Sequence, residues 1–375
     1  NQIKPKLLLI NNKMKNIYLL IILLLFNSKI IFSQDYYAYV AAESEDEVSL
    51  IKFDGVDGVE LEKIPVGIWP AENEGPHGLT VDPNGKFWYL TLAHGNPYGT
   101  LFKFSTITNK VVGKTLLGIF PASMQISETT GLLYCVNFNL HGDMKPSTVS
   151  VVDPETMIEI KQIQTGSMPH GSRISSDGLY HYSVAMMSDE LFEIDAVSLK
   201  VNRVLKLNDN INLMNDKMDH SSMNHTMTHT KVKPTWVIPH PSNNKLYIAA
   251  NGSNEIIEVD VDSWKITDKF KTGKGPYNIE ISPNGKLLVV TYKNDGSTAI
   301  WDIALKKELK VIKNKRNVSH GVAISSDSKY AFISVEGVGG EPGTVDIINL
   351  ETLNLISSVN TGKQAGGIAF WKISH

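Results

Sequence analysis

A short sequence pattern recurs along most of this 375-residue chain and constrains the fold more than any other feature. Each unit opens near a Pro or Ser, continues with two short apolar runs separated by a turn, and ends with a hydrophobic-Asp-hydrophobic step. Residues 75–86 and 275–286 share it, both containing Pro-Asn-Gly-Lys. Units open at residues 76, 121, 169, 234, 276, 319 and 365, at intervals of 42 to 48 residues except for 65 after Pro169. Such a period, built of short strands, predicts a β-propeller with one four-stranded blade per unit.

The fifth unit illustrates the predicted blade. Its strands are expected at 277–281, 287–292, 297–302 and 308–312. Asn284-Gly285 supplies the positive φ of a tight hairpin turn. The second strand is apolar over most of its length, which is typical of a strand packed on both faces by neighbouring blades.

The two chain ends are predicted to complete the ring. Six full units leave one strand at 365–371 and three strands between Tyr36 and Val66. Neither remnant makes a blade alone, but together they make a seventh. Pairing of the termini leaves no open sheet edge. The expected fold is therefore an all-β, seven-bladed propeller.

Blades of this kind resemble the YVTN-repeat family of seven-bladed propellers. The resemblance is carried by segments such as Tyr247-Ile248-Ala249-Ala250-Asn251-Gly252, followed by Val259-Asp260, and by Ser282-Pro283-Asn284-Gly285-Lys286. That family is similar to the propeller parts of nitrous-oxide reductase and cytochrome d1 and to seven-bladed lactonases. The resemblance covers nearly everything after residue 35 and implies architecture rather than one activity.

The chain is predicted to be exported. Residues 1–33 are interpreted as an over-extended start followed by a secretory signal, with Met14-Lys15-Asn16 before the apolar run 17–26 and cleavage after Ser33. The alternative is a single membrane anchor, although ten residues are short for a span. Residues 35–375 then form one propeller domain in the periplasm or outside the cell, with no stable membrane span after cleavage.

Composition excludes several function classes. The single cysteine, Cys135, cannot form an internal disulfide and is expected to be buried, and without Cys-x-x-Cys-His no c-type haem is attached. A net charge of −3 without a basic run gives no indication of nucleic-acid binding.

An insertion at 208–233 accounts for the one long interval. It is mostly polar and has four methionines within sixteen residues that also contain three histidines: Met214, Met218, His220, Met223, His225, Met227 and His229. Thioether sulfur is a soft ligand that favours Cu(I), and imidazole binds Cu and Zn. The segment therefore predicts a copper site, wrapped irregularly around the ion. The alternative is a disordered polar loop.

Histidines elsewhere are predicted to share one end of the propeller. Because strands alternate in direction, connections from the fourth strand to the next blade and from the second to the third strand emerge on one face. The insertion lies on that face. The first strands of three blades are expected to place His77, His170 and His320 there, and two loops are expected to place His94 and His141 there. We expect these to form a metal site at the channel mouth. The alternative is structural histidines that pack between blades.

No catalytic motif is present, so we expect a binding protein in metal handling, with a metal ion and a redox or surface protein as partners. The alternatives are a metal-dependent lactonase or oxidoreductase, in which His77, His170 and His320 converge on one point, and a protein- or glycan-binding scaffold without metal. Catalytic residues stay unassigned. Strand alternation makes it hard for His170 and Arg173 to face the channel equally. Six periodic acids are expected to be structural turn residues: Asp82, Asp153, Asp195, Asp260, Asp302 and Asp346. Another six are expected to be solvated residues of the rim: Glu43, Glu45, Asp46, Glu47, Glu336 and Glu341.

Overall fold

The computed structural model describes residues 34–69, 71–95, 97–208 and 231–374. These residues form seven antiparallel sheets of four strands each, which confirms the predicted seven-bladed β-propeller. Asp35–Ser374 is one compact unit. The predicted signal peptide and the seven Met and His residues of the insertion lie outside the described residues. Within the described ranges, no helix is long and apolar enough to cross a membrane.

The strands follow one another at short intervals along the chain. In chain order they are β1 (Asp35–Ala42), β2 (Glu47–Phe53), β3 (Gly58–Pro65), β4 (Pro76–Val81), β5 (Phe87–Leu92), β6 (Thr100–Ser105), β7 (Val111–Leu116), β8 (Pro121–Ile126), β9 (Leu133–Asn137), β10 (Pro146–Asp153), β11 (Ile158–Ser167), β12 (Pro169–Ile174), β13 (Tyr180–Ala185), β14 (Glu190–Asp195), β15 (Lys200–Lys206), β16 (Pro234–Pro239), β17 (Lys245–Ala250), β18 (Glu255–Asp260), β19 (Lys265–Lys271), β20 (Pro276–Ile281), β21 (Leu287–Tyr292), β22 (Ser297–Asp302), β23 (Lys307–Lys313), β24 (Val318–Ile324), β25 (Tyr330–Glu336), β26 (Thr344–Asn349), β27 (Asn354–Asn360) and β28 (Ala365–Ser374).

Strands β4–β7, β8–β11, β12–β15, β16–β19, β20–β23 and β24–β27 form blades 1 to 6, and blade 7 has the order β28-β1-β2-β3. The C-terminal strand β28 is thus the inner strand of a blade whose other strands come from the N-terminal part. Asp35 lies opposite Ser374, and Ala42 lies opposite Ala365. The predicted closure is confirmed, and the tail strand runs three residues beyond its predicted end at Trp371.

The core is divided among the seven interfaces between adjacent blades, each with its own cluster of buried apolar side chains. Between blades 7 and 1, Tyr39 stacks on Trp88 with ring centroids 5.0 Å apart. Trp88 in turn stacks on Phe104 at 3.9 Å. Cys135 is fully buried between blades 1 and 2, and burial raises the pKa of its thiol. Stability therefore depends on keeping all seven interfaces closed.

Five of the six periodic aspartates occupy turns, as predicted. Each accepts backbone N–H groups two to five residues ahead, as Asp302 does from Leu305 at 2.8 Å. The prediction is wrong for Asp346, which is buried inside β26 and accepts hydrogen bonds from the side chains of Asn314 and Ser358. Asn349 takes the turn position in that blade.

A β-bulge interrupts the innermost strand pair of every blade near the start of the inner strand. Glycine allows the inner strands to approach one another there. A Cβ on Gly78 would lie 1.7 Å from the carbonyl oxygen of Ala122 in the next blade. The bulge breaks the two-residue alternation of side chains along the strand. Two residues that strict alternation would place on opposite faces of the inner strand can therefore both face the channel.

Hydroxyl groups bind the bulges of adjacent blades together. Ser334 Oγ accepts a hydrogen bond from Gly321 N at 2.9 Å and donates one to Gly366 O in blade 7 at 2.5 Å. Thr291 Oγ1 likewise accepts from Asn278 N and donates to the carbonyl of His320. These hydroxyls satisfy backbone groups that the bulge removes from the sheet ladder.

Replacing Ser334 by alanine should therefore lower the free energy of unfolding by about 2–3 kcal/mol, because a buried N–H and a buried C=O both lose their partner. Urea unfolding measures the change. Ser44→Ala, which removes an exposed hydroxyl bonded to Gln364, is the matched control and should change stability by less than about 0.5 kcal/mol. Equal midpoints for the two variants would contradict this role of Ser334.

Candidate functional site at the channel mouth

The mouth is the end of the central channel at which the inner strands begin. The second residue of β4 and of β12, and the third of β24, place His77, His170 and His320 there, and β20 places Tyr277 beside them. Connections between the second and third strands of blades contribute further groups on the same face. We call the whole set the mouth cluster: Glu43, His77, His94, Phe120, His141, His170, Tyr277, Lys293, His320 and Glu336.

Ring contacts join the mouth cluster into one continuous series. His141 lies 5.8 Å from His94 between ring centroids, and Phe120 contacts both of them and His77. His77 lies 6.1 Å from His320 with the rings at 88°. Tyr277 then connects His320 at 4.8 Å to His170 at 5.1 Å. The structure thus brings all five predicted rim histidines together.

Glu43 is a member of the cluster whose role the sequence did not predict. It was expected to be a solvated rim acid, but it is 7% exposed. Its Oε2 lies 2.9 Å from His77 Nδ1, and its Oε1 lies 2.9 Å from His94 Nε2. Burial opposes ionisation of this carboxyl, yet the charges and hydrogen bonds of the two histidines outweigh burial and hold its pKa below the usual range. Glu43 is therefore an ionised acceptor for two imidazoles.

His94 is bound to Glu43 through Nε2. The hydrogen bond to Glu43 raises the pKa of His94, burial lowers it, and further contributions from Glu43, Asp46 and the backbone of Asn73 raise it, so that the net shift is upward. Because Nε2 is occupied by Glu43, His94 supports that carboxylate through this nitrogen.

His170 is neutral and uses both of its nitrogens. Nδ1 donates to the carbonyl oxygen of Thr235 at 2.8 Å, so Nε2 must be the acceptor of the Tyr277 hydroxyl at 2.8 Å. Burial lowers the pKa of His170 to about 3. The ring is locked as one tautomer, with its lone pair directed at Tyr277.

His320 has a ring nitrogen that is not engaged in a hydrogen bond with the described residues. Its Nδ1 is buried without a hydrogen-bond partner among the described residues. Its Nε2 lies 3.8 Å from Glu336, which is itself paired with Lys293 at 3.0 Å. Burial lowers the pKa of His320 well below its ordinary value. A neutral, buried imidazole with an unbonded nitrogen could accept a metal ion at little cost in lost hydrogen bonds.

A cavity of about 320 Å³ lies inside the channel below the mouth. His77, His170 and His320 line its upper part, and an ion pair between Arg173 and Glu280 crosses its lower part. The expectation that strand alternation would keep His170 and Arg173 from facing the channel equally is wrong. The bulge between Pro169 and Ser172 shifts the alternation, so that both side chains reach the cavity.

The remaining predicted groups divide between the two ends. His240 hydrogen-bonds the carbonyl of Gly285 in a turn on the face opposite the mouth. His141 is exposed on the mouth face. The insertion joins β15 to β16, and its Met and His side chains lie outside the described residues. Within the described ranges, no group of three or more His, Cys, Asp or Glu side chains is arranged to hold a metal ion.

Comparison with known proteins supports the fold and nothing finer. No family model matches the chain, and no curated protein sequence matches it. The solved structure of Kuenenia stuttgartiensis hydrazine synthase is similar over 76% of this chain and 81% of that chain, with a TM-score of 0.58 and 19% identity. At that identity the likeness concerns the fold alone. Residues 35–374 are a seven-bladed β-propeller, and the likeness to the YVTN-repeat family remains a resemblance of sequence pattern.

Proposed function

We propose that this protein is an exported copper-binding propeller that holds the ion at the mouth, between His77 and His320, together with the Met/His-rich insertion. The supporting observation is the geometry of these two rings. A metal ion lies about 2 Å from an imidazole nitrogen, so two rings that approach one ion from nearly opposite sides have centroids roughly 6 Å apart. The measured separation is 6.1 Å.

The free nitrogens support the same pair. Glu43 occupies Nδ1 of His77, which leaves Nε2 for an ion. His320 has an unbonded Nδ1. His170 and His94 already use their nitrogens and act as supports. Two imidazoles without a third carboxylate or imidazole suit a soft ion of low coordination number, and thioether ligands from the insertion would complete its shell.

Exposed apolar side chains on the mouth face support the further proposal of a redox or surface protein partner. Trp69 is 62% exposed and Tyr98 57% exposed, in connections that flank His94. Aromatic residues of this kind are enriched at interfaces. A partner that exchanges copper or electrons would approach this face, and the proposed export to the periplasm or beyond would put both proteins in an oxidising compartment.

Competition titration with a Cu(I) chelator under reducing conditions tests the proposal. Wild-type protein should bind one Cu(I) more tightly than micromolar, and His77→Gln combined with His320→Gln should weaken binding at least tenfold. His240→Gln, at the opposite end of the propeller, is the matched control and should bind like wild type. Deletion of 212–231 should also weaken binding. Affinity weaker than micromolar, or equal affinity in the double variant, would remove the proposal.

A further inference from the structure

We infer that Glu43 is the positioning residue of the mouth: its carboxylate fixes the tautomer and orientation of His77, so that this ring presents Nε2 to the ion. The inference rests on the proposed copper site and adds to it a residue that touches no metal. It assigns different tasks to two neighbouring histidines. His77 is the ligand, and His94 is the second imidazole that holds Glu43, through a hydrogen bond from its Nε2.

The hydrogen bonds determine the tautomer. An ionised carboxylate can only accept hydrogen bonds, so both ring nitrogens that face Glu43 must carry protons. His77 is bonded through Nδ1 and His94 through Nε2, each at 2.9 Å. In a neutral His77 the proton is then on Nδ1, and the lone pair is on Nε2. A carboxylate on the far nitrogen of a histidine is the usual way in which proteins orient a metal ligand and raise its basicity.

The backbone around Glu43 is fixed by ring closure. Its N–H donates to the carbonyl of Gln364 at 3.1 Å, directly before the closing strand β28. Asp46, in the same connection, accepts the N–H groups of Glu74 and Gly75. Gly75 has a φ of +62°, and a Cβ there would lie 2.6 Å from the ring of His94. One short connection therefore holds the carboxylate and the loop against which His94 packs.

Two other acids on this face, both within the described part of the chain, do not share the arrangement. Glu336 lies 3.8 Å from His320 and is paired with Lys293. Glu45 is exposed and pairs with Lys363 at 3.1 Å. Replacing Glu45 by glutamine removes one negative charge two residues from Glu43 without touching a histidine, which makes it the matched control.

The first test is long-range proton–nitrogen NMR on metal-free full-length protein labelled with ¹⁵N-histidine. In the neutral form of His77 the proton should be on Nδ1 and not on Nε2, and His94 should carry a proton on Nε2. Glu43→Gln should shift neutral His77 towards the Nε2-protonated tautomer, whereas Glu45→Gln should match wild type. A wild-type neutral His77 protonated on Nε2, or unchanged spectra in Glu43→Gln, would overturn the inference.

The second test is Cu(I) affinity of the same proteins. Loss of a supporting carboxylate lowers metal affinity by about 10- to 100-fold, so Glu43→Gln should bind Cu(I) that much more weakly than wild type. The Cu(I) affinity of Glu43→Asp should lie between those of Glu43→Gln and wild type, and that of Glu45→Gln should equal that of wild type. The NMR test of the tautomers does not depend on whether the protein binds copper. If the tautomers are as stated and no protein binds copper, the proposed function fails and the positioning role of Glu43 survives.

Discussion

The free energy of unfolding of the metal-free protein should fall by about 2 kcal/mol for each of two buried histidines between pH 7 and pH 5, about 4 kcal/mol in all, and a third buried histidine should add to the fall. The two are His170 and His181, and the third is His320; their exposed fractions are 3%, 0% and 7%. Burial lowers the pKa of His170 and of His181 to about 3, and that of His320 in the same direction. Such a loss is a large part of the whole stability of many domains.

The direction follows from proton uptake. A histidine whose folded pKa lies below the ordinary value of about 6.5 binds fewer protons in the folded protein than in the unfolded chain throughout the interval between the two values. Its contribution is complete above pH 6.5 and is lost as the pH falls towards the folded pKa. His94 acts in the opposite sense, because its folded pKa is raised and its contribution is lost as the pH rises. Glu43, with a lowered pKa, loses its contribution only below about pH 4.5.

Urea unfolding at pH 7, 6 and 5 measures how the free energy of unfolding depends on pH. The variant His181→Leu separates the contribution of a buried histidine from the contributions of other titrating groups. Both ring nitrogens of His181 lack a hydrogen-bond partner among the described residues, and the ring stacks on Tyr134 at 5.0 Å. The variant should be at least as stable as wild type at pH 7 and should lose about 2 kcal/mol less stability by pH 5. A wild-type change below about 1 kcal/mol between pH 7 and pH 5 would contradict the account.

Deletion of residues 365–375 should abolish cooperative folding. Without β28, the strand β1 loses the partner that runs along it from Ala365 to Ser374, and its backbone groups are left unpaired beside the channel. The deletion also removes Trp371, whose ring packs 5.8 Å from Tyr37 and 5.5 Å from Tyr39. An open sheet edge promotes aggregation. We expect an insoluble product, or a soluble one without a cooperative unfolding transition.

A circular permutant is the control for that deletion. Asp35 and Ser374 are paired neighbours, so a short linker can join them, with new chain ends placed between residues 209 and 230. This protein keeps every blade and should unfold cooperatively, with a stability close to that of wild type. A truncated protein that unfolds as cooperatively as the permutant would show that the ring does not depend on its closing strand.

Architecture could be predicted from sequence because each blade repeats the same local signals. The turn at Asn284-Gly285 and the apolar strands around it specify blade 5 to within one or two residues. Closure could be predicted because the two chain remnants add up to one blade. The long interval after Pro169 coincides with the stretch of chain between β15 and β16.

The chemistry of the mouth could be predicted only in part. Topology placed His77, His170 and His320 at one end, because that placement depends on strand direction alone. The role of Glu43 depends on contacts 34 and 51 residues away, which no local pattern encodes. The bulge at Ser172 overturned the alternation argument for Arg173. Which histidine nitrogens are free depends on single hydrogen bonds, and these decide which rings are available to a metal ion.

The most direct test of the copper site is the ¹⁵N-histidine spectrum of the full chain before and after one equivalent of Cu(I), which is diamagnetic. The account predicts that the ring signals of His77 and His320 shift together and saturate at one equivalent, while those of His181 and His240 do not move. Saturation with His77 and His320 unchanged, and only histidines of the insertion shifted, would contradict it.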